Sequence, residues 1–264
     1  MRQFDDKISA GAAHEPVFHG YIGQLIAILN RIEKEQSDAI GRAATAVEQC
    51  LAQGGIVHTF GTGHAHLLAM EPFYRAGGLS PVNAILEDRI TFAKGAIEST
   101  AAERTPGLAE EIFQSVQVES KDVAIVISNS GRNAVPVEMA LHFRQRGVQV
   151  IAITNVTQSK ASTPRNPAGR RLYEVADIVI DNCVPAGDSI VSIPGVALPV
   201  GPTSTVAGAA IINSIFVQSA AQLAQKGIPV PVLPSANVDN TGNGDQLLRP
   251  YYGRVRWLTF DTAR

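Results

Sequence analysis

Apolar residues fall at helical spacing from about His19 to Gln53: Ile22, Leu25, Ile26, Leu29 and Ile32, then Ile40, Ala43, Ala44 and Val47, with charges between them. This periodicity predicts one long helix or two consecutive ones. The pattern then changes to short apolar runs, Ile56 to Phe60, Val82 to Leu86, Val123 to Ile127, Val148 to Ile153 and Ile178 to Ile180. Runs of that length predict strands buried on both faces. Segments of helical character separate them: Leu67 to Ala76, Pro106 to Val118, and Pro136 to Arg146, the last stopping at Gly147 as a helix C-terminus should. Strands alternating with helices imply βαβ units. The expected fold is therefore α/β, a three-layer αβα sandwich with a five-stranded parallel sheet in flavodoxin-like order and the N-terminal helices packing on it.

From Ser189 to Gln225 no charged residue occurs. Pro194, Pro199 and Pro202 break the first part, and Thr203, Ser204, Thr205, Asn213, Ser214, Gln218 and Ser219 make the helical part too polar for comfortable membrane insertion. A helix apolar nearly all round is expected between layers or subunits, which points to an oligomer and to no membrane role. Residues 229–244 (PVPVLPSANVDNTGNG) are turn-forming, and Tyr251, Tyr252 and Trp257 follow; this tail is either disordered or docked through its aromatics. The division is thus an N-terminal segment over 1–20, a single domain over 21–228 and a C-terminal tail over 229–264.

Composition narrows the function. With 45% apolar and 17% charged residues in 264, the chain has material for a sizeable core. A formal charge of −2 without basic runs removes the electrostatic case for nucleic acid or an anionic membrane, leaving a small molecule as the expected partner. Cys50 and Cys183 have neither disulfide nor metal-ligand spacing and read as two buried thiols of a reducing compartment. The opening MRQFDDKISAGAAHEP lacks the apolar core of a secretory signal, so a cytoplasmic location is expected.

The candidate chemistry sits in two turns, Gly61 to His66 (GTGHAH) and Ser128 to Asn133 (SNSGRN), each after a strand. Junctions of this kind in one parallel sheet aim backbone N–H groups and small hydroxyls at a shared crevice suited to an anion. Gly131 allows close ligand approach while Ser128, Asn129 and Ser130 supply donors; a turn that merely caps a helix is the competing reading. GTGHAH also resembles the start of a dinucleotide fingerprint, with Glu87 after the next strand. His66 occupies the third glycine position, however, and its imidazole obstructs the close packing that glycine permits. No cofactor and no metal are expected: no cysteine or nearby carboxylate completes a ligand set around His64 and His66. His58 alternates within a strand and reads as a core residue.

These turns, with GPTSTVAGAAI and SANVD further along, resemble the SIS (sugar isomerase) domain family, and in particular a subgroup close to phosphoheptose isomerase. The resemblance covers roughly Ile22 to Gly227 and implies phosphosugar binding and a homodimer or homotetramer. It places Ser128 and Ser130 among phosphate-binding serines, and Thr62 and Gly63, beside Gly61, in the first ligand loop. Two positions depart from the family: Ala65 stands where many members have serine, and Asn133 where threonine is common. The family's usual glutamate position holds Arg75, so Glu71 becomes the substitute base, with an i,i+4 pair to Arg75 as its structural reading; the segment around Asn213 supplies no histidine. The resulting expectation is an aldose–ketose isomerase on a small anionic sugar, with His64 or His66 opening the ring and Glu71 carrying the proton through an enediolate. An ether-cleaving lyase on a sugar 6-phosphate and a non-catalytic phosphosugar sensor are the alternatives. Whether Glu87, Glu98, Glu103 or Arg104 enters the pocket stays open, as does a closing role for Ser235, Asn237 and Asp239.

Overall fold

The computed structural model describes residues 16–239, 242 and 244–258. The chain begins with a single long helix, α1 (Val17–Ala52), then runs through β1 (Val57–Gly61), α2 (Ala65–Met70), β2 (Val82–Ala84), α3 (Ala96–Ala102), α4 (Leu108–Phe113), β3 (Val123–Ile127), α5 (Ala134–Gln145), β4 (Gln149–Thr154), α6 (Val156–Lys160), α7 (Leu172–Val175) and β5 (Ile178–Asp181). The hairpin β6 (Ser189–Val191) and β7 (Val200–Pro202), the helix α8 (Ser204–Gln225) and a short α9 (Asp245–Leu248) follow. The sheet has the order β2-β1-β3-β4-β5, every pair parallel. This is the flavodoxin-like order, in which the switch point lies between β1 and β3, and the crevice opens beyond the carboxyl ends of those strands.

The apolar runs are buried on both faces because their alternate residues serve different layers. Val123, Ile125 and Ile127 of β3, with Ile151 and Ile153 of β4, pack under α1, α2 and α8 through Val47, Leu68, Ile211 and Ile215. Ala124 and Val126, with Val150 and Ala152, face α4, α5 and α7 through Phe113, Met139, Phe143 and Leu172. Burying each large aliphatic side chain contributes about 1.5–3 kcal/mol, so the two slabs supply most of the driving force.

The uncharged helix α8 is long and apolar enough by length and composition to cross a membrane. It lies along α1 instead, and Ala207, Ile211, Ile212, Ile215 and Leu223 are buried there. Its polar partner contacts reach α1 as well: Lys226 Nζ lies 2.6 Å from the buried Glu48 carboxylate. α2 stops at Met70, short of the expected Ala76, because Pro72 ends the helical run and Tyr74 takes φ +43°.

The described part of the tail is docked. Gly77 N–H donates to Leu233 O and Leu233 N–H to Gly78 O, while Arg254 Nη2 reaches the buried Asp122 carboxylate at 2.6 Å. Its anchors are the buried aliphatics Leu233, Leu248 and Val255, whereas Trp257 and Tyr252 are only partly covered, at 39% and 44% exposure. Both cysteines are buried free thiols, and burial, with Asp122 beside Cys50 and Asp181 beside Cys183, pushes them up to about 12 and about 11.

Candidate active site between the two turns

β1 and β3 end side by side, and the turns leaving them enclose one cavity of about 530 Å³. Thr62, Gly63, His64 and Ala65 line one side and Ser128, Asn129, Ser130 and Asn133 the other. The remaining wall comes from α3, from Gln158 and Asn182, and from the first turn of α8.

Each turn is shaped by a glycine. At Gly61 a Cβ would lie 2.3 Å from the Ala65 carbonyl oxygen, so the chain can fold back onto β1 only without a side chain there. Gly131 takes φ +59°, and a Cβ would meet Thr154 Oγ1 at 2.8 Å and Ser159 Oγ at 3.0 Å. Within the second turn Gly131 N–H donates to Ser128 Oγ at 3.2 Å, which fixes that hydroxyl at the cavity edge. Asn129 holds the turn to its neighbours, its Oδ1 accepting from Asn182 Nδ2 at 2.8 Å and its carbonyl from Asn155 N–H at 3.0 Å. Asn133 stands before α5 without capping it, because its Nδ2 donates to Glu103 Oε1 at 2.7 Å.

Glu103 is the residue that the sequence left undecided. It follows α3 and enters the cavity, where Thr62 Oγ1 donates to its Oε2 at 2.9 Å. One carboxylate thus ties the first turn to the second. Burial pushes it above the ordinary glutamate value, against the opposing pull of the Thr62 hydrogen bond and the nearby Arg104 and Arg165 charges.

The other candidates divide. His64 lines the cavity, is exposed, and meets Phe92 edge-on with centroids 4.8 Å apart. His66 does not line it: the ring is buried beneath the turn with Nδ1 3.3 Å from Gly61 O, and burial lowers its pKa, favouring the neutral form. Glu71 does not line it either. It caps the far end of α2, pairs with Arg75, accepts from Asn213 Nδ2 at 2.9 Å, and borders a shallow groove with Leu67, Met70 and Phe73. Of the remaining acids left open, Glu87 pairs with Arg89 outside the cavity, and Glu98 is exposed.

A second carboxylate, Asp188, lines the opposite end. It accepts from Thr203 N–H at 2.9 Å, Ser204 N–H at 2.6 Å and Ser204 Oγ at 2.7 Å. The positive end of α8 is therefore already neutralised from within the chain, while at the start of α5 the Glu103 carboxylate is held by the Asn133 side chain and takes none of the second turn's backbone N–H groups among the contacts described.

The SIS domain family matches residues 20–155, more than half of the chain, and this stretch holds both turns and Glu103. The chain belongs to the SIS domain family. Among SIS relatives, a UPF0309 protein of Halalkalibacterium halodurans is 37% identical over 91% of this chain and 97% of its own length. A UPF0309 protein of Geobacillus kaustophilus is 41% identical over 80% of this chain and 84% of its own. The fold is also similar to that of a phosphoheptose isomerase from Francisella tularensis, with a TM-score of 0.51, 17% identity, and coverage of 76% of this chain and 95% of that one.

Proposed function

We propose that this SIS protein binds a small anionic sugar, most simply a sugar phosphate, and interconverts its aldose and ketose forms through an enediolate. The observation that carries this reading is the Glu103 carboxylate, held between Thr62 and Asn133 inside a cavity whose other wall is formed by Ser128, Asn129 and Ser130. The anion belongs at Ser128, Ser130 and the backbone leading into α5, since Asp188 already occupies the end of α8. Fixing the far end of the sugar there sets the reacting carbons against Glu103.

Glu103 then takes the proton from C2 and returns it to C1 while a hydroxyl proton passes between the two oxygens; its burial-raised pKa suits a base that must also give the proton back. His64, exposed at the cavity mouth, is the group for ring opening. This reading moves the base from Glu71 to Glu103 and leaves His66 with a packing role, because neither Glu71 nor His66 lines the cavity. Asn182, Gln158 and the α8 hydroxyls Ser204 and Thr205 are placed to receive the sugar hydroxyls. We include in the proposal a cytoplasmic homodimer or homotetramer, supported by exposed Leu67, Met70, Val206 and Val217 on α2 and α8.

Thermal-shift screening of phosphorylated and sulfonated aldoses and ketoses finds the ligand. Ser130→Ala should weaken its binding about tenfold while leaving the fold intact. Unchanged affinity in that variant contradicts the anion position. Binding without conversion across the panel contradicts the isomerase and leaves a sugar sensor.

A further inference from the structure

The loop between β5 and β6 turns at Gly187 and Asp188, both at positive φ, +87° and +71°. This left-handed pair carries the Asp188 carboxylate to the start of α8, where Oδ1 accepts the Thr203 and Ser204 N–H groups and Oδ2 accepts the Ser204 hydroxyl. The Thr203 hydroxyl donates to the Asp188 carbonyl at 3.0 Å and holds the loop against the helix. Thr203 makes no side-chain cap of its own, so the carboxylate stands where a capping residue or a bound anion would. Asp188 and Ser204 both line the sugar cavity. Glu103 is the other acidic residue of its described lining, and no lysine or arginine joins them. An anion entering this cavity is therefore held by N–H and hydroxyl donors, against two carboxylates. At the α5 end Glu103 is engaged by the side chains of Thr62 and Asn133, which leaves the second turn to the anion. At the α8 end the donors are taken.

We propose that Asp188 sets the specificity of the site for sugars with a single anionic group. Its carboxylate fills the anion-binding end of α8, a 22-residue helix, and its charge repels a second phosphate or sulfonate there. A sugar bisphosphate thus meets one set of donors and one like charge, and a monophosphate enters in one direction only, with its anion at the second turn. The proposal rests on the anionic-sugar reading above and adds the residue that limits how many anions that sugar carries.

Calorimetric titration of the full chain with inorganic phosphate at low ionic strength reads the α8 end directly. Asp188→Gly suits the positive φ and frees both N–H groups, whereas Asp188→Asn keeps their acceptor, tolerates the same backbone and removes only the charge. Each variant should gain a phosphate-binding event that is about tenfold or more weaker in the unmodified protein. The gain should persist when Ser130→Ala is added, which places it away from the second turn. No gain in either variant overturns the proposal, and so does a gain that Ser130→Ala abolishes. Fructose 6-phosphate and fructose 1,6-bisphosphate, titrated next, read the specificity. The unmodified protein should prefer the monophosphate, and that preference should fall about tenfold or more in Asp188→Asn; an unchanged preference overturns the proposal. If neither sugar binds while the phosphate gain is present, the sugar reading is rejected and Asp188 keeps its place as the block to anions at α8.

Discussion

Glu103 shows how much chemistry one side chain draws from its surroundings. Its carboxylate is held by hydroxyl and amide donors, yet burial keeps it above the usual glutamate value of about 4.3. The acidic limb of the kcat/KM profile should accordingly lie above that value, and a limb at or below it would contradict the assignment. The sign for stability follows: the folded state holds this proton more tightly than the unfolded chain. The Glu103 contribution therefore favours folding below the ordinary glutamate pKa and declines as pH rises through the folded value.

Asp122 behaves oppositely. Burial pushes it up, but the His58 contact and the Ile56 and Glu119 N–H groups together hold it below the ordinary aspartate range. With Arg254 also on its carboxylate, Asp122→Ala leaves His58 with Asn83 and Arg254 with Glu119 but breaks both buried contacts at once, and should cost about 3–5 kcal/mol in a denaturant titration. A loss within error of zero would show that this network is incidental.

At this scale the sequence was readable where chemistry is local. Ser128 to Ser130 follow directly from a strand, and their place in the crevice could be inferred from neighbours in the chain. Glu103 was not readable, because its partners Thr62 and Asn133 are 41 and 30 residues away and only the packing of α3 unites them. Glu71 stands outside the cavity for a geometric reason: it lies at the far end of α2, about 9 Å along the helix axis from the turn at its start.

Among the elements, the two strand-to-turn junctions carry the greatest constraint. Gly61→Ala places a methyl group against a backbone oxygen that no rotamer change can move. The expected loss is about 1–3 kcal/mol, read as a fall in Tm of several degrees by calorimetry. An unchanged Tm would mean that the junction relaxes freely.

The sheet strands were legible because parallel strands buried on both sides are unbroken apolar runs. The hairpin β6–β7 was not: its three-residue strands sit among Pro194, Gly195, Pro199 and Gly201, where turn residues mask any alternation. The α3 helix was missed similarly, since seven residues span too few turns for a periodic signal. Docking of the tail through its aromatics was one of two readings left open; the described part of the tail is docked, but through buried aliphatics and one arginine.

On the scale of the whole molecule, α8 joins the two halves of the proposal. Its inner face seals the core against α1, and its first turn closes the cavity. Its outer face leaves Val206 and Val217 exposed, with Leu67 and Met70 of α2 alongside. A second copy of the chain is the proposed cover, and sedimentation at micromolar concentration should show a dimer or tetramer; a compact monomer would contradict that. The proposal as a whole depends on a carboxylate that moves a carbon-bound proton while the second turn grips the anion. Deuterium incorporation at C2 of a bound sugar phosphate, followed by NMR in heavy water, measures that act directly. The unmodified protein should exchange the C2 proton, and Glu103→Gln should bind the same sugar but exchange it about 100- to 10,000-fold more slowly. Exchange by the glutamine variant at the unmodified rate would contradict the assignment.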